Sequence, residues 1–560
     1  MQSEKVLISQ ATKSNWQRLG VNDKEIKTRL SKRANKRFSV KKFIPLEYLS
    51  DSNNLAIIEE IVDCKKDIQS VIYSLALNLL VSNGLITYKN GEIISENPYI
   101  YKIFEEFGNV QPLNNLLELT LPDNERDFLG VVYQSMLQEG MKNQKGSYYT
   151  PKVVVDKVSS AINIDSTFLD PCCGTGSFLL AAAEKIQEPE NIYGFDLDKT
   201  ACFISRINLV LKYRDKIFRP NIFNTDFLLF DFDKYFDVIA TNPPWGAVTS
   251  EKYQDKFLEV KSGESFSYFI CHCNKFVHPN SRMFLVLPES ILNVKVHSDI
   301  RRFILDNFSI SEICLLGKAF TGVLSDVVML QLDKTLPGKM IKIIGEREIC
   351  TICQKFYEKN VNNIFSILDN KDVQILEKIY STPHQTLKNS IWGLGIVTGN
   401  NSKFITFDSA GAEKIYSGKN IAKGEILESE KYIIYDRESF QQTASEEIYR
   451  AKEKLVYKFI SKKLVFAYDN KQRLFLNSAN ILIPDLEDYS IKQVMDCLNS
   501  KLFQYIYQKK FNELKVLKGN LLQLPFPYFR GENSQITDDL LYKYFNLSSL
   551  EVVHILNCLQ

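Results

Sequence analysis

The segment Thr241-Asn-Pro-Pro-Trp245 has the residue types of a pocket that binds an amino group, and it follows an apolar run, Phe236–Ala240, that predicts a buried strand. Two consecutive prolines fix the backbone and remove two N–H donors, so carbonyl oxygens and the Asn242 amide are left to project from the strand end. Two acceptors can bind both hydrogens of a ring-conjugated amino group and draw its lone pair out of conjugation, which stabilises the transition state more than the ground state. Trp245 offers a flat apolar face for that ring. The alternative interpretation is a proline-stiffened loop with a core tryptophan.

A glycine-rich turn lies upstream, in Phe168-Leu-Asp-Pro-Cys-Cys-Gly-Thr-Gly-Ser-Phe178. Asp170 stands at the end of a predicted strand, and Gly174 and Gly176 fall in the turn before an apolar helix. Glycines let the backbone bend tightly and approach a ligand that lies over the helix N-terminus. Asp196 ends the next predicted strand, where a carboxylate can accept hydrogen bonds from ribose hydroxyls. The pattern predicts a nucleotide-like cofactor, with a turn that serves packing alone as the alternative.

The elements that would position these motifs follow from an alternation of β-rich and helical runs that begins at Ser166. This alternation predicts an α/β fold with a mostly parallel sheet and helices on both faces. The predicted strands are Thr167–Asp170, Asn191–Asp196, Ile222–Asp226, Phe236–Thr241, Met283–Leu287, Ile313–Leu316 and Val327–Leu332. The predicted helices are Ser177–Ile186, Lys199–Tyr213, Ser267–Val277 and His297–Phe308. The connection between the last two strands is too short for a helix, so we expect them to pair antiparallel at the sheet edge.

Composition sets the limits of the function. The chain has 560 residues, 45% of them apolar and 24% charged, which is typical of a folded globular protein with roughly three or four domains. The net charge of +2 means that any nucleic-acid surface must concentrate its positive charge locally. A basic stretch between Lys27 and Lys42 is either such a phosphate-contacting patch or a solvated helical face.

Neither a membrane protein nor a disulfide-stabilised one is expected. The longest apolar run, Val71–Val81, is too short to span a bilayer. Eleven cysteines without a secretion leader are typical of reduced thiols in a cytoplasmic protein. Cys350 and Cys353 form a lone pair without a second pair at zinc-site spacing, so no metal is expected.

With these motifs in place, the chain resembles the γ-class N6-adenine DNA methyltransferases, including the Taq-type enzymes and the type I modification subunits. The resemblance covers about residues 126 to 335 and rests on Gly146-Ser-Tyr-Tyr-Thr-Pro151, Asp170-Pro-Cys-Cys-Gly-Thr-Gly-Ser-Phe-Leu179, Asp196, Asn224-Thr-Asp-Phe227, Asn242-Pro-Pro-Trp245 and Arg282-Met-Phe-Leu-Val-Leu-Pro-Glu-Ser290. It implies a Rossmann-like class I methyltransferase domain with a seven-stranded sheet, S-adenosyl-L-methionine as methyl donor and double-stranded DNA as substrate. An adenine inside a duplex would have to be extruded to reach the donor.

The resemblance also implies a role for individual residues. The methionine end of the cofactor would be bound by Tyr149, Thr150, Asp170, Gly174 and Gly176. The cofactor ribose would be bound by Asp196, and the cofactor adenine by Asp226 with Phe227 packed on its ring. Catalysis would fall to Asn242, Pro243, Pro244 and Trp245, and the extruded base would stack between Trp245 and Phe320.

Two positions depart from the family pattern. Trp245 stands where a tyrosine or phenylalanine is commoner, which keeps a stacking surface but changes the pocket shape. Cys172 and Cys173 stand where the family usually has alanine and cysteine, and both residues are small enough to be tolerated.

The predicted domain order places the catalytic domain at 126–345, after a mainly helical region at 1–125. A connector at 346–390 and an α+β target-recognition domain at 391–530 follow, with a helical tail at 531–560. The region after 390 resembles the specificity domains of Taq-type methyltransferases in Gly393-Leu-Gly-Ile-Val-Thr-Gly-Asn-Asn401, Tyr416-Ser-Gly-Lys-Asn420 and Cys497-Leu-Asn-Ser-Lys-Leu502. The resemblance leaves room for a separate cognate restriction endonuclease as a partner.

Three other functions remain open on the sequence. Protein-glutamine and ribosomal-RNA methyltransferases also use Asn-Pro-Pro-aromatic pockets, although they are generally shorter. A DNA-binding subunit without catalysis would not need the intact set of Asp170, Asp196, Asp226 and Asn242. A fused nuclease would need paired acids with a lysine, and Asp63-Cys-Lys-Lys66 alone is a common surface pattern.

Overall fold

The computed structural model describes residues 49, 51–63, 66–122, 125–137, 150, 152–246, 251–318, 325–335, 340–345, 349–511, 515–529 and 535–559. The basic stretch between Lys27 and Lys42 lies outside these residues. The chain forms two compact units: the first takes the described residues of 1–291, 295–349 and 353–363, and the second those of 292–294, 350–352 and 364–560.

The first unit begins with helices whose apolar faces join one large core. They are α1 (Leu55–Asp63), α2 (Ile68–Ser82), α3 (Pro98–Phe107), α4 (Asn114–Leu117) and α5 (Phe128–Met136), with the hairpin β1 (Thr87–Lys89) and β2 (Glu92–Ile94) between α2 and α3. Local sequence explains where these helices start. Asp67, Asn97 and Asp127 each accept a backbone N–H as the N-cap of α2, α3 and α5.

A mixed sheet follows, with the strands β3 (Phe168–Asp170), β4 (Ile192–Asp196), β5 (Asn221–Asn224), β6 (Phe236–Thr241), β7 (Val277–Pro288), β8 (Ser309–Gly317), β9 (Val327–Asp333) and β10 (Met340–Ile344). Their order is β10-β8-β9-β7-β6-β3-β4-β5, and β3 to β7 run parallel. The chain moves outward from β3 to β5 and then returns to β6 on the other side of β3. In such sheets a ligand binds outside the carboxyl ends of the strands where the order reverses.

Helices connect these strands, as the alternation of the sequence predicts. They are α6 (Lys152–Ser159), α7 (Ser177–Ala183), α8 (Lys199–Lys212), α9 (Glu251–Lys256), α10 (Ser265–Cys273) and α11 (Ser298–Asn307). A further strand, β11 (Ile349–Cys353), has residues in both units, and α12 (Gln354–Lys359) follows it. The predicted α/β methyltransferase fold is therefore confirmed, with element ends shifted by a few residues.

The prediction for the last two strands is confirmed in one respect and wrong in another. β8 and β9 do pair antiparallel. β8 is not at the sheet edge, however, because Met340–Ile344 pairs with it in parallel and extends the sheet beyond the predicted seven strands. This alternating strand buries only Ile341 and Ile343, which made it a weak signal in the sequence.

The second unit is α+β. Its helices are α13 (Asn370–Ser381), α14 (Asn401–Phe404), α15 (Glu446–Tyr449), α16 (Ile491–Asn499), α17 (Lys501–Phe511), α18 (Lys518–Leu521), α19 (Asp538–Tyr544) and α20 (Ser549–Cys558). Its strands are β12 (His384–Gln385), β13 (Ile391–Leu394), β14 (Ile405–Thr406), β15 (Glu413–Tyr416), β16 (Ile421–Ala422), β17 (Glu425–Ile426), β18 (Tyr432–Ile433), β19 (Lys454–Lys458), β20 (Phe466–Asp469), β21 (Leu474–Phe475), β22 (Ala479–Ile483) and β23 (Phe526–Pro527). Two four-stranded sheets, β13-β22-β19-β20 and β14-β18-β15-β21, form its centre.

The helices of the second unit are joined by a buried acid. The Asp372 carboxylate of α13 accepts hydrogen bonds from Lys509 Nζ and the Tyr505 hydroxyl of α17, at 2.6 and 2.7 Å. His554 Nε2 of α20 lies 2.8 Å from the same carboxylate. Burial would raise the pKa of Asp372, but the Lys509 ammonium holds it below its ordinary value.

Among the described residues, no helix is both long and apolar enough to cross a bilayer.

An aromatic cluster joins the N-terminal helices to α8 within the first unit. Truncation of its central ring should therefore lower the free energy of unfolding by a large amount. Phe203 of α8 is buried, stacks on Phe107 at 4.1 Å and meets the edge of Phe104 at 5.2 Å between ring centroids. Phe203→Ala should lower the free energy of unfolding by about 3–5 kcal/mol, because it leaves a cavity that the neighbouring rings cannot fill. Urea unfolding followed by circular dichroism measures this. Tyr101→Ala on α3, where the side chain is 56% exposed, is the control and should cost less than about 0.5 kcal/mol. A cost below about 1 kcal/mol for Phe203→Ala would contradict the role of the cluster.

Candidate active site

A cavity of about 560 Å³ lies at the carboxyl ends of β3, β4, β5 and β6, within the first unit. Eight of the residues predicted for the site line it: Thr150, Asp170, Gly174, Asp196, Asp226, Phe227, Asn242 and Pro244. Gly176, Pro243 and Trp245 are not among its lining residues. Tyr149 and Phe320 lie outside the described residues. The parallel strands therefore bring together side chains that are far apart in the sequence.

The glycine turn has the conformation that its sequence suggests. Gly174 and Gly176 have φ values of +51° and +102°, in the region that residues with a side chain rarely adopt. The Ser205 hydroxyl of α8 donates to the Gly174 carbonyl at 2.7 Å, and this hydrogen bond holds the turn against α8. A Cβ on Gly174 would meet no atom within 4 Å, so the backbone here is open to a ligand, whereas Gly176 begins α7.

Two carboxylates stand beside this turn. Asp196 accepts the Gly174 N–H at 2.9 Å with one oxygen and the Asp198 N–H at 2.8 Å with the other. Asp170 is 1% exposed and accepts the Cys172 N–H at 3.0 Å. Burial raises the pKa of Asp170 to about 8, and burial also raises the pKa of Asp196. Each carboxylate oxygen has a further lone pair, so both groups can accept more hydrogen bonds or neutralise a cation.

The end of β5 contributes the next part of the cavity wall. Asp226 accepts the Leu228 N–H at 3.0 Å and the Tyr253 hydroxyl at 2.6 Å. Phe227 is 2% exposed and belongs to an aromatic group with Phe195, Phe269, His272 and Phe276. The two hydrogen bonds fix the direction of the Asp226 carboxylate.

The segment after β6 has two carbonyls that Ser265 occupies and, among the described residues, two further acceptors without a hydrogen-bond partner. The Ser265 hydroxyl donates to the Pro244 carbonyl, and the Ser265 N–H donates to the Gly246 carbonyl at 3.0 Å. Within the described residues, neither the Pro243 carbonyl nor the Asn242 side-chain amide makes a hydrogen bond. Asn242 is half-buried and lines the cavity. The proline carbonyl that remains available is therefore that of Pro243.

Trp245 is anchored at one edge. Its Nε1 donates to the Val286 carbonyl of β7 at 3.3 Å, and the ring packs against the core of the first unit. The side chain is half-buried. Its role in stacking a base stays a prediction, as does that of Phe320.

Several cavity residues were missed by the sequence reasoning. Ser265 and Tyr253 hold the predicted residues in place, and Gln69 and Gln134 line the cavity from α2 and α5. These contacts join distant parts of the chain and have no characteristic spacing.

Comparison with known proteins identifies the family of the chain. Residues 124–389 match the model of the N-6 DNA Methylase family, and residues 413–526 match that of the TaqI-like C-terminal specificity domain. The type II methyltransferase M.VspI of Vibrio sp. (strain 343) is 30% identical over 365 residues, which are 62% of this chain and 88% of that protein. The chain belongs to the N-6 DNA methylase family of restriction–modification systems.

Two further comparisons give similarities at lower sequence identity. The methylase subunit of the type I restriction enzyme EcoEI from Escherichia coli is 24% identical over 243 residues, which cover 39% of this chain and 49% of the subunit. The chain thus matches about half the length of that subunit. The solved structure of the type IIL restriction-modification enzyme MmeI in complex with DNA has the same fold, with a TM-score of 0.54 at 13% identity over 87% of this chain and 86% of that one.

The buried carboxyl of Asp170 should make the free energy of unfolding depend on pH. Burial raises its pKa from 3.8 to about 8, so the folded state binds a proton that the unfolded state has lost between these values. The wild-type protein should therefore lose stability as the pH rises from about 4 through about 8, and the loss is complete above the folded pKa. Asp170→Asn should remove this loss and raise the free energy of unfolding at pH 8.5 by about 1 kcal/mol or more. Urea unfolding at pH 5 and pH 8.5 measures it, with the exposed Asp165→Asn as control. Equal stability of wild type and Asp170→Asn at pH 8.5 would contradict the buried-charge account.

Proposed function

We propose that this chain transfers a methyl group from S-adenosyl-L-methionine to the N6 amino group of an adenine extruded from double-stranded DNA, within a specific short sequence. The observation that carries the proposal is a pair of acceptors that have no hydrogen-bond partner among the described residues, Asn242 Oδ1 and the Pro243 carbonyl, at the end of β6 beside a nucleotide-sized cavity. An exocyclic amino group has two hydrogens for these two acceptors, whereas a carbonyl oxygen has none. The setting is a bacterial cytoplasm, with a separate restriction endonuclease as an expected partner.

The residues of the cavity suit S-adenosyl-L-methionine, which supplies an electrophilic methyl group on a positively charged sulfur. Asp196 would accept the ribose hydroxyls with the lone pairs that Gly174 and Asp198 leave free. Asp226, fixed by Tyr253, would bind the adenine edge, and the open backbone at Gly174 allows close approach. Asp170, with Thr150 beside the cavity, would meet the ammonium group, whose charge would lower the raised pKa of this carboxyl.

Catalysis by these residues is mainly positioning. Extrusion of the base loses a few kcal/mol of stacking and pairing, and stacking on Trp245 would restore about 1–3 kcal/mol of that. Asn242 and Pro243 would then hold the amino nitrogen with its lone pair toward the methyl carbon. The new N–C bond forms as the S–C bond breaks, and the nitrogen loses one proton to water. Neither step needs a covalent enzyme intermediate.

The second match supports DNA rather than a protein or ribosomal RNA as the substrate. The specificity-domain match at 413–526 lies within the predicted target-recognition region of 391–530. The catalytic pocket holds a single base and cannot read its neighbours, so sequence choice requires other side chains that reach base edges. The second unit would supply them.

A groove in this unit has the charge and polarity that DNA requires. It has a volume of about 630 Å³, and its charged lining residues are three lysines without an acid: Lys419, Lys431 and Lys458. Asn401 and Asn477 offer side-chain amides beside them, and the exposed Phe407 adds an apolar surface. Lysines bind phosphates, whereas amides can donate to and accept from base edges.

Asn242→Ala tests the transfer step. The variant should bind S-adenosyl-L-methionine within about twofold of wild type but lower kcat by about 10²–10³, because it removes a transition-state acceptor. Calorimetry with the donor and a methylation assay with labelled donor measure the two quantities. Sequencing that detects modified adenine in DNA from cells expressing each protein gives the base and its context.

The control is Asn221→Ala, which changes an asparagine at the amino end of β5, outside the cavity. It should methylate like wild type. Activity of Asn242→Ala within about threefold of wild type would overturn the assignment. Methylation of cytosine alone would overturn the choice of base.

The groove predicts a separate defect in DNA binding. The double variant Lys419→Ala/Lys431→Ala should weaken binding of the recognised duplex by about tenfold or more at physiological salt and lower the salt dependence of binding, because two phosphate contacts are lost. S-adenosyl-L-methionine affinity should not change. Fluorescence anisotropy over a salt series measures this, with the exposed Lys543→Ala of α19 as control. An unchanged salt slope would place the DNA surface elsewhere.

A further inference from the structure

Helix α5 forms part of the cavity wall although it lies well ahead of the glycine turn in the sequence. Its residue Gln134 lines the cavity and is 4% exposed. Asp127, at the N-cap of the same helix, is 1% exposed. Two polar side chains of α5 are thus buried. Gln134 lies at the cavity, and Asp127 lies behind the glycine turn.

Asp127 connects α5 to the centre of the glycine turn. One carboxylate oxygen accepts the Gly130 N–H at 3.0 Å and Asn208 Nδ2 at 2.7 Å, and the other accepts the Thr175 hydroxyl at 2.9 Å. Asn208 Nδ2 also donates to the Thr175 carbonyl at 3.0 Å. Thr175 lies between Gly174 and Gly176, so both its side chain and its carbonyl are held from behind. Gly174 and Gly176 have no side chain to anchor the turn, so its position depends on these bonds together with those of Ser205 and Asp196.

The same helix also reaches the carboxylate proposed for the ribose. The Tyr133 hydroxyl donates to Asp198 at 2.6 Å, and the Asp198 N–H donates to Asp196 at 2.8 Å. Asp198 is also the N-cap of α8. A shift of α5 would therefore displace the hydrogen-bond partners of both the glycine turn and Asp196, which are the two predicted cofactor contacts.

We infer that α5 completes the cofactor site, with Asp127 as a positioning residue for the glycine turn and Gln134 as a further binding residue for the methyl donor. The inference rests on the proposed function. Four aspartates, Asp170, Asp196, Asp198 and Asp226, already line the cavity. A neutral amide can donate to one polar group of the donor molecule and accept from another without adding a further acid.

The test measures S-adenosyl-L-methionine binding by calorimetry with full-length protein. Asp127→Ala should raise the dissociation constant by about tenfold or more, because the turn loses its anchor, and Gln134→Leu should raise it by about tenfold through the loss of direct hydrogen bonds. Asp127→Asn should restore most of the affinity, since its oxygen can accept from Gly130 and Asn208 while its amide donates to the Thr175 oxygen. Ser548→Ala removes the exposed N-cap of α20 in the second unit and is the matched control, with binding within about twofold of wild type.

Kinetics separates positioning from a general loss of structure. The KM for the methyl donor should rise in Asp127→Ala and Gln134→Leu, while kcat at saturating donor and the KM for DNA stay within about twofold of wild type. If Asp127→Ala does not fold, Thr175→Val removes one hydrogen bond to the carboxylate and should raise the dissociation constant severalfold.

Donor affinity within about twofold of wild type in Gln134→Leu would overturn the contact. Unchanged affinity in both Asp127→Ala and Thr175→Val, or no rescue by Asp127→Asn, would overturn the positioning role. If the wild-type protein itself does not bind the donor, the proposed function fails. That result differs from a failure of the Gln134 contact or of the Asp127 positioning role alone.

Discussion

The carboxylate of Asp196 joins the two turns on which the rest of the site depends. It accepts the N–H of Gly174, after β3, and the N–H of Asp198, which begins α8 after β4. Burial raises the pKa of this group, and the backbone N–H donors of Asp198 and Gly174 offset part of that effect. The arrangement leaves lone pairs toward the cavity, and it keeps the glycine turn at a fixed distance from the strand beside it. The proposed cofactor site is thus shaped largely by hydrogen bonds to the backbone.

The acceptor pair after β6 depends on a similar fixation. Ser265 occupies the Pro244 carbonyl and binds Gly246, and this leaves Asn242 and the Pro243 carbonyl as the available acceptors. Prolines cannot rearrange their φ angles, so the spacing of these acceptors is set by the chain itself. In the proposed function the pair would select an amino group over a carbonyl, but the amino group of cytosine has the same two hydrogens. The proposed preference for adenine would therefore come from the shape of the pocket.

Much of the fold and the polar side chains at the strand ends of the cavity could be predicted from the sequence, because strand ends with Asp170, Asp196, Asp226 and Asn242 are local signals at the carboxyl edge of a parallel sheet. The strand Met340–Ile344 could not, since it gains its stability by pairing with β8. Ser265, Tyr253 and Gln134 were missed for a related reason: each contributes through a contact with a distant segment, and no spacing rule describes it. The sequence also did not show which proline carbonyl would be occupied.

The central claim is that one exocyclic amino group binds between Asn242 Oδ1 and the Pro243 carbonyl. The most direct measurement is a crystal structure of the full chain with a non-reactive analogue of the methyl donor and a duplex that contains its recognised sequence. The account predicts one adenine outside the helix, with its N6 about 3 Å from both acceptors, the separation of an N–H···O hydrogen bond. A target adenine that stays stacked in the duplex, or an N6 group bound away from Asn242, would contradict it.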